Sequence, residues 1–264
     1  MKKYLQVMKN TWDEASAYRA SFIIYRLRFV LGILTMYFLW LVVLPEGETV
    51  FGYDQSTMLT YVLGVSLMTS IVFATKSQSI ATDINEGNLS NFLLRPVSFL
   101  KYQFARDIAD KGVNIVFAIF ELTLLFVILK PPFYIQTDPV YLTLFVISTL
   151  FATLMYFFFS VLLGMVGFWS NETWGPRFIF YQLIIFFAGG LFPLDMLPSA
   201  VYQSLEYLPF QYLIYFPLNI YLGQVGVNEA VKGIAISGAW IVLMLFLTKY
   251  LWGLGLKFYT AHGK

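Results

Sequence analysis

The sequence predicts an all-α integral membrane protein of six transmembrane helices, and three observations carry that expectation. Only 12% of the 264 residues are charged, against about 25% in a soluble domain. Several uncharged windows reach the roughly 20 residues needed to cross a hydrocarbon core of about 30 Å. With six spans drawn, all of the 17 lysines and arginines except Lys130 and Lys232 fall on one side. That is the bias of cytoplasmic loops, so both termini are expected in the cytoplasm. The chain reads as one multi-pass domain of the cytoplasmic membrane, residues 1–264, without an attached soluble domain.

Residues 1–28 precede the first apolar window. Leu5, Met8, Trp12 and Ala15 fall near one helical stripe, with Lys9, Asp13 and Glu14 elsewhere. The spacing predicts an amphipathic helix lying in the membrane interface. The spans follow at 29–45, 56–75, 112–130, 139–171, 177–193 and 233–256. The fourth window is longer than one bilayer crossing, so loop is expected at its ends.

Between the fifth and sixth spans, residues 194–232 form an outer segment. Its stretch 208–224 is long enough to cross but contains Pro209, Gln211, Pro217, Asn219 and Gly223. A proline in a helix interior removes a backbone hydrogen bond and clashes with the preceding turn. A seventh span here would also move Lys249 and Lys257 outside. Short, broken, re-entrant helices dipping into the outer leaflet are expected instead.

Much chemistry is excluded. There is no cysteine, hence no disulfide, thiol catalysis or cysteine metal site. The one histidine, His262, lies at the C-terminal end. A net charge of +2 without a basic block offers nothing to nucleic acid. No phosphate-cradling G-x-x-x-x-G-K-[ST] loop is present, nor G-x-S-x-G or H-E-x-x-H. No catalytic residue, metal ligand or cofactor site is therefore assigned to the chain. Glu121 is the one carboxylate near the middle of a span, and such a residue is a functional candidate by default. Contact with substrate, proton binding, pairing with another subunit, and a neutral form bonded to serine or tyrosine all remain open.

The segment "DINEGNLSNFLLRPVS", residues 83–98, belongs to the longest inward loop, 76–111. Thr82 or Asp83 can cap a short helix, with Glu86 three after Asp83 as in a capping box. Leu89, Phe92, Leu93 and Leu94 supply an apolar patch, Arg95 lies in the last turn, and Pro96 stops the helix. Gly87 costs roughly 1 kcal/mol inside a helix unless a backbone approaches or the helix bends there. Docking of a protein and resting on lipid are equally compatible with these residues.

The same segment resembles the cytoplasmic signature of type-2 ABC exporter permeases, with its acidic residue, E-G-x-L and P-V-S ending. A second stretch, "AGGLFPLDMLP" (188–198) followed by "LPFQYLIYFPLNIYLG", resembles that family's G-x-x-F-P-x-x-x-L-P pattern. The resemblance covers essentially the whole chain. It implies that 76–111 holds a coupling helix contacting a separate ABC ATPase subunit through Asp83, Glu86, Gly87, Leu89, Leu93, Leu94, Arg95 and Pro96. It implies that Gly189, Gly190, Phe192, Pro193, Leu197 and Pro198 shape the outer end of a pathway. ATP and Mg would be held by the partner ATPase. A second permease would complete the pathway, as a homodimer or, given the L-L-R-P-V-S ending, as a paired heterodimer. Hydrophobic or amphiphilic cargo (lipid, drug, peptide or glycolipid) suits the aromatic spans. The alternatives are a secondary transporter or channel using Glu121, and a lipid-modifying membrane enzyme using Asp195 or Glu206.

Overall fold

The computed structural model describes residues 2–17, 19–94 and 97–259. Among these the regular structure is helical, apart from one isolated β-bridge between Val50 and Tyr53. Helix α1 (Lys2–Ala17) is followed by α2 (Arg19–Val43). Of the amphipathic helix expected over 1–28, Lys2–Ala17 form α1, and residues 19–28 belong to the first long helix, α2.

Helix α3 (Gln55–Met68) starts on Asp54, whose Oδ1 accepts the Thr57 N–H at 2.8 Å while Thr57 Oγ1 accepts the Asp54 N–H at 3.0 Å. This reciprocal capping satisfies two otherwise orphaned donors, and the Thr57 bonds hold the Asp54 carboxyl below the usual carboxylate range. Helix α3 continues as a π-helical turn, Thr69–Phe73. Next come the short α4 (Ile80–Asn85) and α5 (Leu89–Leu93), then the long α6 (Phe99–Leu129) and α7 (Pro139–Met165). Asp138 caps α7 and Pro139 fills its first turn, where no N–H is required. The chain closes with α8 (Trp174–Phe187), α9 (Ser199–Leu205), α10 (Tyr215–Tyr221) and α11 (Val227–Phe258).

Among the described residues, five helices are long and apolar enough to cross a membrane: Ile23–Val43, Gln55–Phe73, Phe99–Leu129, Pro139–Phe168 and Val227–Phe258. They overlap the first four windows and the last. The remaining window, 177–193, holds α8, which has only 14 residues, or about 21 Å at 1.5 Å per residue. It stops early because Gly189 adopts φ +81° and turns the chain just past Phe187.

Of the apolar windows, 61% of α3 and 50% of α7 are buried, against 22% of α2 and α11 and 28% of α6. Helices α3 and α7 are thus the centre of the bundle, and the others leave apolar faces outward. The 208–224 stretch is broken, as its prolines require: a 3₁₀ turn at Gln211–Leu213, then α10. It packs inside, against α7 and α3, with Gln211, Leu213 and Asn219 all buried.

Helix α11 reaches α10 and the 3₁₀ turn that follows α7, Val166–Phe168, because two of its positions lack side chains. A Cβ at Gly233 would lie 2.2 Å from the Phe216 ring, and one at Gly255 2.2 Å from the Phe168 ring. Gly253 has open space around it. Gly233→Leu and Gly255→Leu should therefore each lower thermal stability by at least the roughly 1–3 kcal/mol of an overpacked core. Gly253→Leu should leave it unchanged. Melting of the detergent-solubilised protein, followed by size-exclusion chromatography, measures all three.

Candidate functional site

Three places bring polar groups together, and the segment 80–94 is the first. Its inner face is fixed to the bundle: Ile80, Ile84 and Leu89 are buried with Phe99, Phe157, Met165 and Phe168. The backbone of α4 lies directly on two glycines of the α7 end. A Cβ at Gly164 would meet Ile80 at 2.7 Å, and one at Gly167 would meet the Ala81 carbonyl at 2.9 Å. The Tyr259 hydroxyl donates to the Gly87 carbonyl at 2.7 Å and accepts the Ser90 N–H at 3.0 Å, tying the segment to the end of α11. Asn85 Nδ2 donates to the Asn171 carbonyl at 3.2 Å.

The capping box expected at Asp83 and Glu86 does not form. The helix starts earlier, at Ile80, where burial rather than a cap holds it, and Glu86 falls at its C-terminal end. Gly87 then adopts φ +77°, so the expected single helix is two short ones with a turn between them. Of the predicted contact residues, Leu89 is fully buried, whereas Leu93 is 51% and Leu94 86% exposed. Glu86 is exposed beside Asn88, whose Nδ2 donates to its Oε2 at 2.9 Å. Asp83 is half-buried; desolvation pushes its carboxyl up, and the Arg106 guanidinium opposes that shift. Arg95 and Pro96 lie outside the described residues.

The second place is the charge cluster between α1, α2, α3 and α6. Glu121 is buried, and both its carboxylate oxygens are held by Arg26, with Arg26 Nε 2.6 Å from Oε1 and Nη2 on Oε2. Arg26 Nη1 also donates to Asn114 Oδ1 at 3.3 Å, and its guanidinium lies 5.0 Å from the centre of the Phe29 ring. The partner of Glu121 is thus an arginine of its own chain, not a serine or tyrosine. Deeper along α6, Lys111 Nζ donates to the Val72 carbonyl at 3.0 Å and also reaches the Ala74 carbonyl, where the π-helical turn ends. Asp107 stands 3.2 Å from the same nitrogen. Arg26 and Lys111, counted in the sequence among the charges of inward loops, are buried structural groups.

The third place is the region predicted to be the outer end. Gly189, in its left-handed turn, has its carbonyl bonded by the Tyr61 hydroxyl at 2.7 Å, and the Ala188 carbonyl accepts the Tyr215 N–H at 2.9 Å. Gly190 donates to Ile185, and Phe192 meets Phe186 edge-on at 5.7 Å. Pro193 is buried ahead of the 3₁₀ turn Leu194–Met196, Leu197 ends that turn, and Pro198 precedes α9. The Tyr53 hydroxyl lies 3.0 Å from both Asp195 Oδ2 and Asn219 Oδ1. Burial pushes the Asp195 carboxyl up, and the bond from Tyr53 works against it.

A cavity of about 640 Å³ runs between α2, α3, α7 and α8. Its walls include Arg28, Ile33, Met36, Tyr61, Phe73, Tyr156, Arg177, Tyr181 and Leu191. Of the predicted outer residues Gly190 alone lines it. Glu121 does not. The sequence gives no sign of this cavity beyond the composition of the helices, since the four walls are far apart in the chain.

The Arg26–Glu121 pair allows a direct test. Arg26→Met leaves a buried carboxylate without its cation and should cost about 3–5 kcal/mol, while the double change Arg26→Met with Glu121→Leu should recover most of that loss. Thermal melting of the two variants distinguishes the outcomes.

The sequence matches the family described as ABC-2 family transporter protein over residues 30–263. No curated protein matches the chain. The match starts within α2 and takes in all the later helices, the 80–94 segment, the turns at 188–198 and the cavity walls from Gly32 onward. The chain therefore belongs to the ABC-2 family of transporter proteins, as a multi-pass membrane permease component of an ABC transporter.

Proposed function

We propose that this chain is the permease subunit of an ATP-driven exporter, coupled through residues 80–94 to a separate ABC ATPase that holds ATP and Mg. One observation carries the proposal. The segment is pinned on its inner face by Ile80, Ile84 and Leu89 and by Tyr259, yet presents Glu86, Leu93 and Leu94 to solvent. A structure that only rested on lipid would not need such rigid attachment to α7 and α11. A lever between two proteins does.

In this reading α8 is the fifth of six crossings, completed by the turns at Ala188–Leu191, and both termini are cytoplasmic. Helix α6, with 31 residues, spans about 46 Å at 1.5 Å per residue. It would carry the coupling segment well clear of a hydrocarbon core of about 30 Å. A second permease, identical or paired, would complete the pathway. Closure of the ATPases would move the coupling segments and bias the permease between inward- and outward-open states, to the extent that the two states differ in their contacts. The cargo class is hydrophobic or amphiphilic. Channel or ion-coupled transport through Glu121 loses its main support, because Arg26 occupies both oxygens of that carboxylate.

Glu86→Ala combined with Leu94→Asp should reduce co-purification of the ATPase subunit about tenfold or more while the permease still inserts and melts normally. Retained ATPase binding, or transport by the permease without any ATPase, would defeat the coupling proposal. For topology, single cysteines at Asn91 and Glu206, both exposed, should react with an impermeant maleimide from opposite sides of the membrane. Labelling from one side would overturn the six-crossing arrangement.

A further inference from the structure

Most of the cations buried or half-buried among these helices have a carboxylate close by. Arg26 has Glu121, Lys111 has Asp107, Lys76 has Glu14 and Asp110, and Arg106 has Glu14. Arg177, which is half-buried, and Arg28, which is exposed, differ. Both line the 640 Å³ cavity, and among the described residues neither has a carboxylate within ion-pair distance and no carboxylate lines the cavity. Guanidinium groups are strongly suited to phosphate and carboxylate oxygens.

The two arginines reach the cavity by the same route. On α2 the lining residues are Tyr25, Arg28, Phe29, Gly32, Ile33 and Met36; on α8 they are Trp174, Arg177, Phe178, Tyr181, Gln182 and Ile185. Each set follows the spacing i, i+3, i+4, i+7, i+8, i+11 of one helical face. Each places its arginine second, so the charge lies near the start of the stripe; Ile33 and Met36 follow on α2, and Tyr181, Gln182 and Ile185 on α8. Contacts on the other walls show that the two starts share one end of the cavity. Phe73 meets both Tyr156 (4.4 Å between ring centres) and Tyr181 (6.0 Å). Arg28 lies within electrostatic reach of Tyr181, one turn past Arg177 on α8, and Tyr156 within reach of Arg177. The other end is marked by Tyr61, bonded to Gly189, with Gly190 and Leu191 beside it.

The cavity is thus polarised. One end carries two cations and phenol hydroxyls; from Arg28 to Met36 the wall runs about 12 Å at 1.5 Å per residue into Ile33, Val62, Val65, Ile185 and Leu191. Its volume falls within the roughly 300–1,000 Å³ of ligand sites. Neither a free inorganic anion nor a neutral hydrocarbon satisfies both ends.

We infer that this cavity binds an amphiphile with an anionic headgroup, the headgroup at Arg28 and Arg177 and the apolar body along Ile33, Met36, Ile185 and Leu191. As a statement about cargo this rests on the transport reading; as a binding site it stands on the cavity alone. A membrane phospholipid and a soluble alkyl phosphate share the chemistry.

The test uses the full chain in phosphatidylcholine nanodiscs, titrated with acyl-labelled phosphatidylglycerol or acyl-labelled phosphatidylcholine. The anionic lipid should bind about tenfold more tightly. Arg28→Gln with Arg177→Gln should abolish that preference, Arg28→Lys with Arg177→Lys should keep part of it, and Lys257→Gln, away from the cavity, should not change it. Decyl phosphate should compete, while inorganic phosphate at the same concentration should not. Competition by decyl phosphate without any preference for phosphatidylglycerol would identify a soluble amphiphile rather than a bilayer lipid as the ligand. The inference is overturned by a full preference in the glutamine variant, by loss in Lys257→Gln, by equal competition from inorganic phosphate, or by neither amphiphile binding. ATPase co-purification is read separately. Binding without coupling would sink the transport reading and leave the site, and coupling without binding would do the reverse.

Discussion

The guanidinium of Arg26 holds both oxygens of Glu121 in a place where neither residue can turn to bulk water. A charge withdrawn from water is tolerated only when it is paired and hydrogen-bonded, and this requirement organises the bundle beyond that one contact. It joins α2 to α6. A similar demand puts Lys111 under the carbonyls of Val72 and Ala74, where the π-helical turn would otherwise leave them unsatisfied, and so joins α6 to α3. At the far end Tyr53 stands between Asp195 and Asn219 and ties the start of α3 to the broken outer segment. The apolar surfaces say which helices cluster; these polar contacts say in what register.

Against that background the glycines act as spacers. Gly164 and Gly167 let the backbone of α4 rest on the end of α7, and Gly233 and Gly255 let α11 close over Phe216 and Phe168. Close approach of this kind is the usual means by which membrane helices pack, since lipid offers no hydrophobic gain for their association. The result is a central α7 held between the outer helix α11, the buried α10 and the short α4. Neither end of α7 can shift without moving one of these neighbours.

The spans were legible in the sequence because apolar length is a local property: five windows coincide with helices to within a few residues at most ends, the chief exception being α6. It begins at Phe99, thirteen residues before its apolar window, since charged residues such as Lys101, Arg106 and Asp107 are good helix formers or find partners. The outward acids Asp54 and Asp138 carried no message in composition, yet both are helix caps. Long-range pairing was not legible. Arg26 and Glu121 are 95 positions apart, and nothing in either neighbourhood names the other. For the same reason positive charge counted toward loops included two side chains that are buried structural groups. In the 80–94 segment the sequence signalled one short helix, an awkward glycine within it and an apolar patch, but not the break that Gly87 makes. Which leucines face in and which face out required the fold, because Ile80 and Leu89 are claimed by α7 and by Phe99, not by their own periodicity.

The proposed coupling segment and the cavity are joined by continuous packing. Ile80 lies against Gly164, and the preceding residue of α7, Leu163, already lines the cavity, followed one and two turns back by Ser160 and Tyr156. Tyr156 in turn packs on Phe73, whose other neighbour is Tyr181 of α8. A displacement of α4 would thus reach three walls of the cavity through contacts among stiff aromatic rings, at the end where Arg28 and Arg177 stand. Packed contiguity alone does not make two sites communicate; the element between them must have two arrangements that each site biases. Helix α8 is the element best placed to supply them. It is short, it ends on the left-handed Gly189, and it has only one fully buried side chain, Ile184. Rotation of so loosely held a helix would carry Arg177 and the rest of its stripe together, changing the charged end and the apolar end of the cavity in one movement.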